Sequence, residues 1–214
     1  MIYLFALLII IIAYLYGCFS TARMVAKSFR SLNVYKIGSG LGDTENIYTN
    51  ISKPLGTLVG AIDVAKAYLF LVIVEFVLRF IDNKVINYSG FDILYSENIM
   101  LIYGLCMLIG HCLPYNHHFR GGRGIFTYLG IVAYFAFLPT LISAVIAWLI
   151  ILFFRQIRFA QYLIVILPVI LYIIFYTLFH YHKDFPPYFI TLLLGNAVIM
   201  GVLNIIVSKK LGEF

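Results

Sequence analysis

The sequence predicts an all-α polytopic membrane protein of about seven transmembrane helices, its glycine-rich loops on the cytoplasmic side, and three observations carry that prediction. Of 214 residues, 63% are hydrophobic and only 11% charged, against about 45–50% and about 25% in an ordinary soluble domain. Mean hydropathy is +1.00. Apolar runs of about 20 residues recur along the chain, each long enough as a helix to cross roughly 30 Å of hydrocarbon. These runs lack the apolar–polar alternation of a barrel strand, and a backbone in lipid must satisfy its own hydrogen bonds, which leaves the helix as the spanning element. A water-soluble globule, a disordered chain and a nucleic-acid binder are excluded, since the net charge of +6 is accounted for by topology.

The runs lie at about 2–20, 56–78, 98–112, 125–138, 141–154, 162–179 and 187–207. The first is read as a retained helix and not a secretory signal, because no positive charge precedes it and further spans follow. Pro139-Thr140 divides the fourth run from the fifth. Seven is odd, so the termini face opposite sides. Arg23, Lys27, Arg30, Lys36, Lys53, Arg120, Arg123, Arg155, Arg158, Lys209 and Lys210 fall on one side, eleven in all, against Arg79, Lys84 and Lys183 on the other. The positive-inside rule therefore puts the N-terminus outside and the C-terminus in the cytoplasm. With no internal repeat or soluble segment, residues 1–214 read as one helical unit.

Cys18, Cys106 and Cys112 lie in or beside apolar segments without metal-ligand spacing, so they read as small core residues, and neither a metal nor a cofactor is expected. Two basic-side connections are richer. In Lys36-Ile37-Gly38-Ser39-Gly40-Leu41-Gly42-Asp43-Thr44-Glu45-Asn46, glycines let backbone N–H groups approach an anion and Ser39 and Thr44 add hydroxyls; the same run also reads as a plain turn. The stretch Gly110 to Thr127 contains Arg120-Gly121-Gly122-Arg123-Gly124. Two guanidinium forks around tightly folding backbone suit phosphate recognition, helped by the N-terminus of a helix starting near Gly124. Alternatively, the two arginines anchor the loop to anionic lipid. His111 reads as a proton donor or as an interfacial histidine satisfied by a carbonyl.

Within the second helix, Gly56, Gly60, Asp63 and Ala67 share one face, with Lys66 beside Asp63 at i+3. Ionisable groups in a span face protein or a wet cavity. Asp63 and Lys66 are a structural pair in the bundle or a support for the loops. Glu75 and Arg79 read as an interfacial pair.

Taken together, the two loops resemble those of the bacterial membrane acyl-phosphate:glycerol-3-phosphate acyltransferases, which carry Gly-Ser-Gly-Asn-x-Gly-Ala-Thr-Asn after the first helix and Gly-His-x-x-Pro-x-x-x-x-Phe-Lys-Gly-Gly-Lys-Gly-Val-Ala-Thr after the third. The second pattern fits without a gap, keeping His111, Pro114, Phe119, Gly121, Gly122, Gly124 and Thr127, with Arg120 and Arg123 in place of two lysines. Gly38, Ser39, Gly40 and Asn46 match the first. Leu41, Asp43, Glu45 and Thr49 depart from it, Thr49 standing where the family has an arginine. Two added carboxylates repel an anion unless they are paired. Of the family's C-terminal motif, Asn204 and Glu213 are the echoes.

The resemblance implies acyl transfer from acyl phosphate to the sn-1 hydroxyl of glycerol 3-phosphate, forming lysophosphatidic acid in phospholipid biosynthesis at the bacterial inner membrane. It implies catalytic roles for Ser39 and His111. Gly38, Gly40, Asn46, Arg120, Gly121, Gly122, Arg123 and Gly124 would bind substrate or phosphate, and Asp63, Lys66 and Asn204 would support them. An inactive lipid- or phosphate-binding relative, or a small transporter, are the alternatives.

Overall fold

The structure, a computed structural model, describes residues 2–86, 90–179 and 187–210; Lys183 and Glu213 lie outside these. Among the described residues there is no strand. The described residues form nine α-helices, in order α1 Ile2–Gly17, α2 Thr21–Arg30, α3 Thr44–Asn50, α4 Lys53–Ile81, α5 Glu97–Cys112, α6 Ile125–Phe135, α7 Phe137–Phe154, α8 Ile157–Phe179 and α9 Phe189–Lys210. One apolar core joins α1 with α4 to α9, while side chains such as Phe76 and Phe153 stay exposed on the outer faces, as a lipid-facing bundle requires.

All seven apolar runs are helical, but they do not give seven equal crossings. Among the described residues five stretches are long and apolar enough to cross a membrane, namely Ile2–Arg30, Glu97–His117, Phe137–Phe154, Ile157–Leu178 and Phe189–Val207. Helix α4 carries Asp63, Lys66, Glu75 and Arg79, and the eleven residues of α6 reach only about 16 Å. The division between α6 and α7 falls at Ala136 and not at Pro139-Thr140, because Pro139 sits in the first turn of α7, where its missing N–H costs no hydrogen bond.

The connection 21–55 is also not a plain loop. Ser20 caps α2, its hydroxyl accepting from the Arg23 N–H at 3.2 Å, and Thr21, Ala22, Val25 and Ala26 form the buried face. Asp43 caps α3, its carboxylate accepting from the Asn46 N–H at 2.9 Å, and Glu45 lies in the first turn. Both carboxylates suit the positive end of a helix, a structural reason for two of the departures in this loop.

Helices α1 and α5 lie side by side with close backbones. A Cβ on Gly17 would strike the Met107 carbonyl, and one on Gly110 the Tyr14 carbonyl. The Tyr14 hydroxyl donates to the Leu113 carbonyl at 3.0 Å. The second glycine loop leaves the C-terminal end of α5; the first follows α2 and meets it there, Gly42 and Asp43 against Gly122, so both lie at the same end of the bundle.

The predicted face of α4 is the docking face. Gly56, Gly60, Asp63 and Ala67 are all buried, with Gly56 on Tyr48 of α3 and Gly60 against Thr44 and Phe126. Glu75 and Arg79 pair at 2.8 Å.

Candidate active site

The first loop is built around Asn46. Its side-chain amide donates to the carbonyls of Val34, Ile37 and Leu41 at 3.3, 3.0 and 2.9 Å, and its oxygen accepts from the Ser39 N–H at 3.3 Å and from the Asn50 amide at 3.0 Å. Both polar atoms of this buried side chain are hydrogen-bonded within the first loop and α3. Gly38 and Gly40 have φ of +53° and +68°, which glycine adopts without strain. The Ser39 hydroxyl accepts from the Leu41 N–H at 3.4 Å.

The second loop folds back under the end of α5. The Gly122 N–H donates to the His111 carbonyl at 3.2 Å, and a Cβ on Gly122 would meet His111 Nε2, Asp43 Cβ and the Gly42 carbonyl. The two loops are therefore in direct contact. Arg123 seals them, with Nη1 lying 3.1 Å from Asp43 Oδ2 and 2.9 Å from Glu45 Oε2. The two carboxylates that sequence alone left facing an anion are paired with Arg123. Burial pushes the Asp43 carboxyl above its ordinary value, while the Arg123 guanidinium and the Asn46 N–H act in the opposite direction.

Arg120 is exposed and separate from Arg123; its N–H donates to the His117 carbonyl at 3.0 Å. The two arginines thus face different surroundings. His117 meets Arg23 of α2, ring nitrogen to Nη1 at 2.9 Å.

Asp63 accepts from the Thr21 hydroxyl at 2.7 Å, Lys66 Nζ lies 3.7 Å from it, and Lys66 donates to the Phe19 carbonyl at 3.0 Å. This pair ties α4 to the turn between α1 and α2 and to the start of α2, the helix that precedes the first loop. His111 is buried, and its Nδ1 has no hydrogen-bond partner among the described residues; the same holds for the Thr44 hydroxyl.

Asp43, Thr44, Asp63, His111, Arg123 and Gln161 surround a cavity of about 20 Å³, enough for about one water molecule. Sharing Thr44, Glu45, Ile125, Phe126 and Gln161 with it, an apolar groove of about 180 Å³ runs out past Trp148 and Leu152. Gln161 escaped the sequence reading because the apolar run begins one residue later; a lone amide at the head of an apolar helix was the available signal. Asn204 lines a different groove, between α8 and α9.

Fold and site define an all-helical integral membrane protein with a compact, charge-paired polar centre at one end of the bundle, open to an apolar groove. Comparison with known proteins makes this more specific. The family model for glycerol-3-phosphate acyltransferase matches residues 7–209, and the chain belongs to that family. The glycerol-3-phosphate acyltransferase of Mycoplasmopsis pulmonis (strain UAB CTIP) is 29% identical over 147 residues, 68% of this chain and 59% of that protein. That of Clostridioides difficile (strain 630) is 32% identical over 124 residues, 58% and 55% respectively. The matched region thus spans a little over half the length of these relatives. The crystal structure of PlsY, an integral membrane glycerol 3-phosphate acyltransferase, in its glycerol 3-phosphate form has the same fold, with a TM-score of 0.69 at 23% identity over 96% of this chain and 88% of that one.

Proposed function

We propose that this protein transfers a fatty acyl group from acyl phosphate to the sn-1 hydroxyl of glycerol 3-phosphate. The hydroxyl oxygen bonds to the acyl carbonyl carbon, the bond from that carbon to the phosphate oxygen breaks, and phosphate leaves with the electron pair and takes up the hydroxyl proton. Lysophosphatidic acid and inorganic phosphate are the products. The observation that carries this reading is the direct contact of the two glycine loops, Gly122 against Gly42 and Asp43, beside a polar cavity that adjoins an apolar groove suited to an acyl tail. The names of the relatives, and the glycerol 3-phosphate and lysophosphatidic acid forms of PlsY, support the acceptor and the product; acyl phosphate is the donor that the loop resemblance implies.

Acyl phosphate is already activated, so the protein's contribution is orientation and electrostatic stabilisation. In this reading Arg123 and the backbone of Gly121, Gly122 and Gly124 bind phosphate, and Arg120 draws anions to the rim. Ser39 with Gly38 and Gly40 faces the headgroups, and the unpartnered Nδ1 of His111 takes a substrate or water hydrogen bond. Asn46, Asp63 and Lys66 hold the loops, and Asn204 supports the bundle from α9. The chain acts as one unit in the bacterial inner membrane, N-terminus outside and both loops cytoplasmic, following the distribution of basic residues.

A second reading, a phosphate- or lipid-binding relative without turnover, draws on the engagement of Arg123 by two carboxylates. One assay separates them. Purified protein is given acyl phosphate and labelled glycerol 3-phosphate; the enzyme reading expects labelled lysophosphatidic acid that disappears in Ser39→Ala and Arg123→Ala. Saturable binding with no product would leave the second.

A further inference from the structure

Glu45 occupies a place that the chemistry of the site suits to a ligand. Its Oε2 lies 2.9 Å from Arg123 Nη1 and 2.7 Å from Gln161 Nε2, and its Oε1 lies 3.7 Å from Arg158 Nη2. Donors from the second loop and from α8 converge on one carboxylate, an arrangement that also fits two oxygens of a phosphate. The Glu45 side chain is 22% exposed against 7% for Asp43, so it is the carboxylate that can swing out to solvent. Glu45 also stands at the junction of the polar cavity and the apolar groove, where the headgroup of an amphiphile lying in that groove would sit. Asp43 and Glu45 cancel the charges of Arg123 and Arg158, so an arriving anion meets no surplus of positive charge until one carboxylate leaves.

We propose that Glu45 is an internal anion seated in the phosphate position on Arg123, and that acyl phosphate binds by displacing it. The identity of the ligand rests on the acyl-transfer reading; the displacement itself requires only a phosphate group. Glu45 then sets affinity at this site by competition, while Asp43 keeps the loops joined throughout the exchange.

The test measures calorimetric binding of inorganic phosphate to detergent-solubilised protein, beside the KM for acyl phosphate. The proteins are wild type, Glu45→Gln, Glu45→Asp, and Glu45→Gln combined with Arg123→Gln. Removing one negative charge next to Arg123 is expected to tighten phosphate binding about tenfold and to lower KM in parallel. Glu45→Asp, which draws the carboxylate back from Arg123 and leaves every donor in place, moves both in the same direction by less. The double variant loses the gain. Phosphate affinity that is unchanged or weaker in a folded Glu45→Gln overturns the proposal, and Glu45→Asp decides the matter if Glu45→Gln does not fold. Tighter phosphate binding without product from any of the proteins would keep the displacement and discard acyl transfer. Product formation with phosphate affinity unmoved would do the reverse.

Discussion

Arg123 and Asp43 form a buried ion pair of 3.1 Å between residues 80 apart in sequence, and the same Asp43 carboxylate starts α3 by capping the Asn46 N–H. One side chain therefore begins a helix in the first loop and pins the second loop to it. Asp43→Ala removes the cap and leaves Arg123 with half its compensation, at a cost of roughly 3 kcal/mol. Asp43→Asn retains a good capping group and should lose roughly half as much. Denaturant or thermal melts of both variants in one detergent check the order; an Asn variant as unstable as the Ala variant would remove the cap from this account.

Asp43 also gives stability a pH dependence of definite sign. Burial holds its carboxyl above the ordinary value of 3.8, so between the unfolded and the folded value the folded protein keeps a proton that the unfolded chain has released, and the ion pair with Arg123 is complete only above that window. The contribution is complete below the unfolded value and is lost as pH rises through the folded one. Asparagine does not titrate. The melting temperature of wild type relative to Asp43→Asn should thus be higher at about pH 4 than at about pH 7, and a constant or inverted difference across that range would refute the assignment.

Asn46 distributes its hydrogen bonds among three carbonyls, one N–H and the Asn50 amide. Alanine strands those carbonyls, and aspartate faces them with a second acceptor, so both substitutions should destabilise the protein by roughly 2–3 kcal/mol and abolish activity with it. An Asn46→Asp protein of wild-type stability, with activity lost, would show instead that Asn46 touches substrate.

What was legible in the sequence, and what was not, follows from the range of each signal. The apolar runs, the buried face Gly56, Gly60, Asp63 and Ala67, and the placement of both loops on one side could be read, because composition, helical spacing and the motif from Gly110 to Thr127 are local. Helices α2 and α3 were hidden: they are short and polar, and their stability comes from caps at Ser20 and Asp43 and from docking on α4, which no hydropathy pattern records. The different fates of Arg120 and Arg123 were hidden as well, since the two glycines between them carry one outward and the other inward onto Asp43 and Glu45.

That difference separates the two arginines in kinetics. Arg123→Ala removes the ion pair beside the cavity and should eliminate product formation. Arg120→Ala removes an exposed charge, which acts by steering and is screened by salt. A few-fold rise in KM is expected at low ionic strength, shrinking toward wild type as salt is added. Steady-state kinetics at two salt concentrations measure this; a large, salt-independent loss of kcat in Arg120→Ala would place that guanidinium on bound substrate.

Glycines at contact and glycines in open space should respond oppositely to one methyl group. A Cβ on Gly122 meets His111 Nε2 and Asp43 Cβ, whereas one on Gly195 of α9 meets nothing within 4 Å. Gly122→Ala must push the loops apart or shift His111, at roughly 1–3 kcal/mol, and should cost activity out of proportion to its loss of stability, because the misplacement falls on the polar centre. Gly195→Ala adds no clash and removes backbone freedom from the unfolded chain, for a gain of up to about 1 kcal/mol with activity retained. Melting curves and turnover of the two single variants, measured in the same detergent, test the contact directly. Equal tolerance at both positions would mean that the loops do not touch where Gly122 joins them.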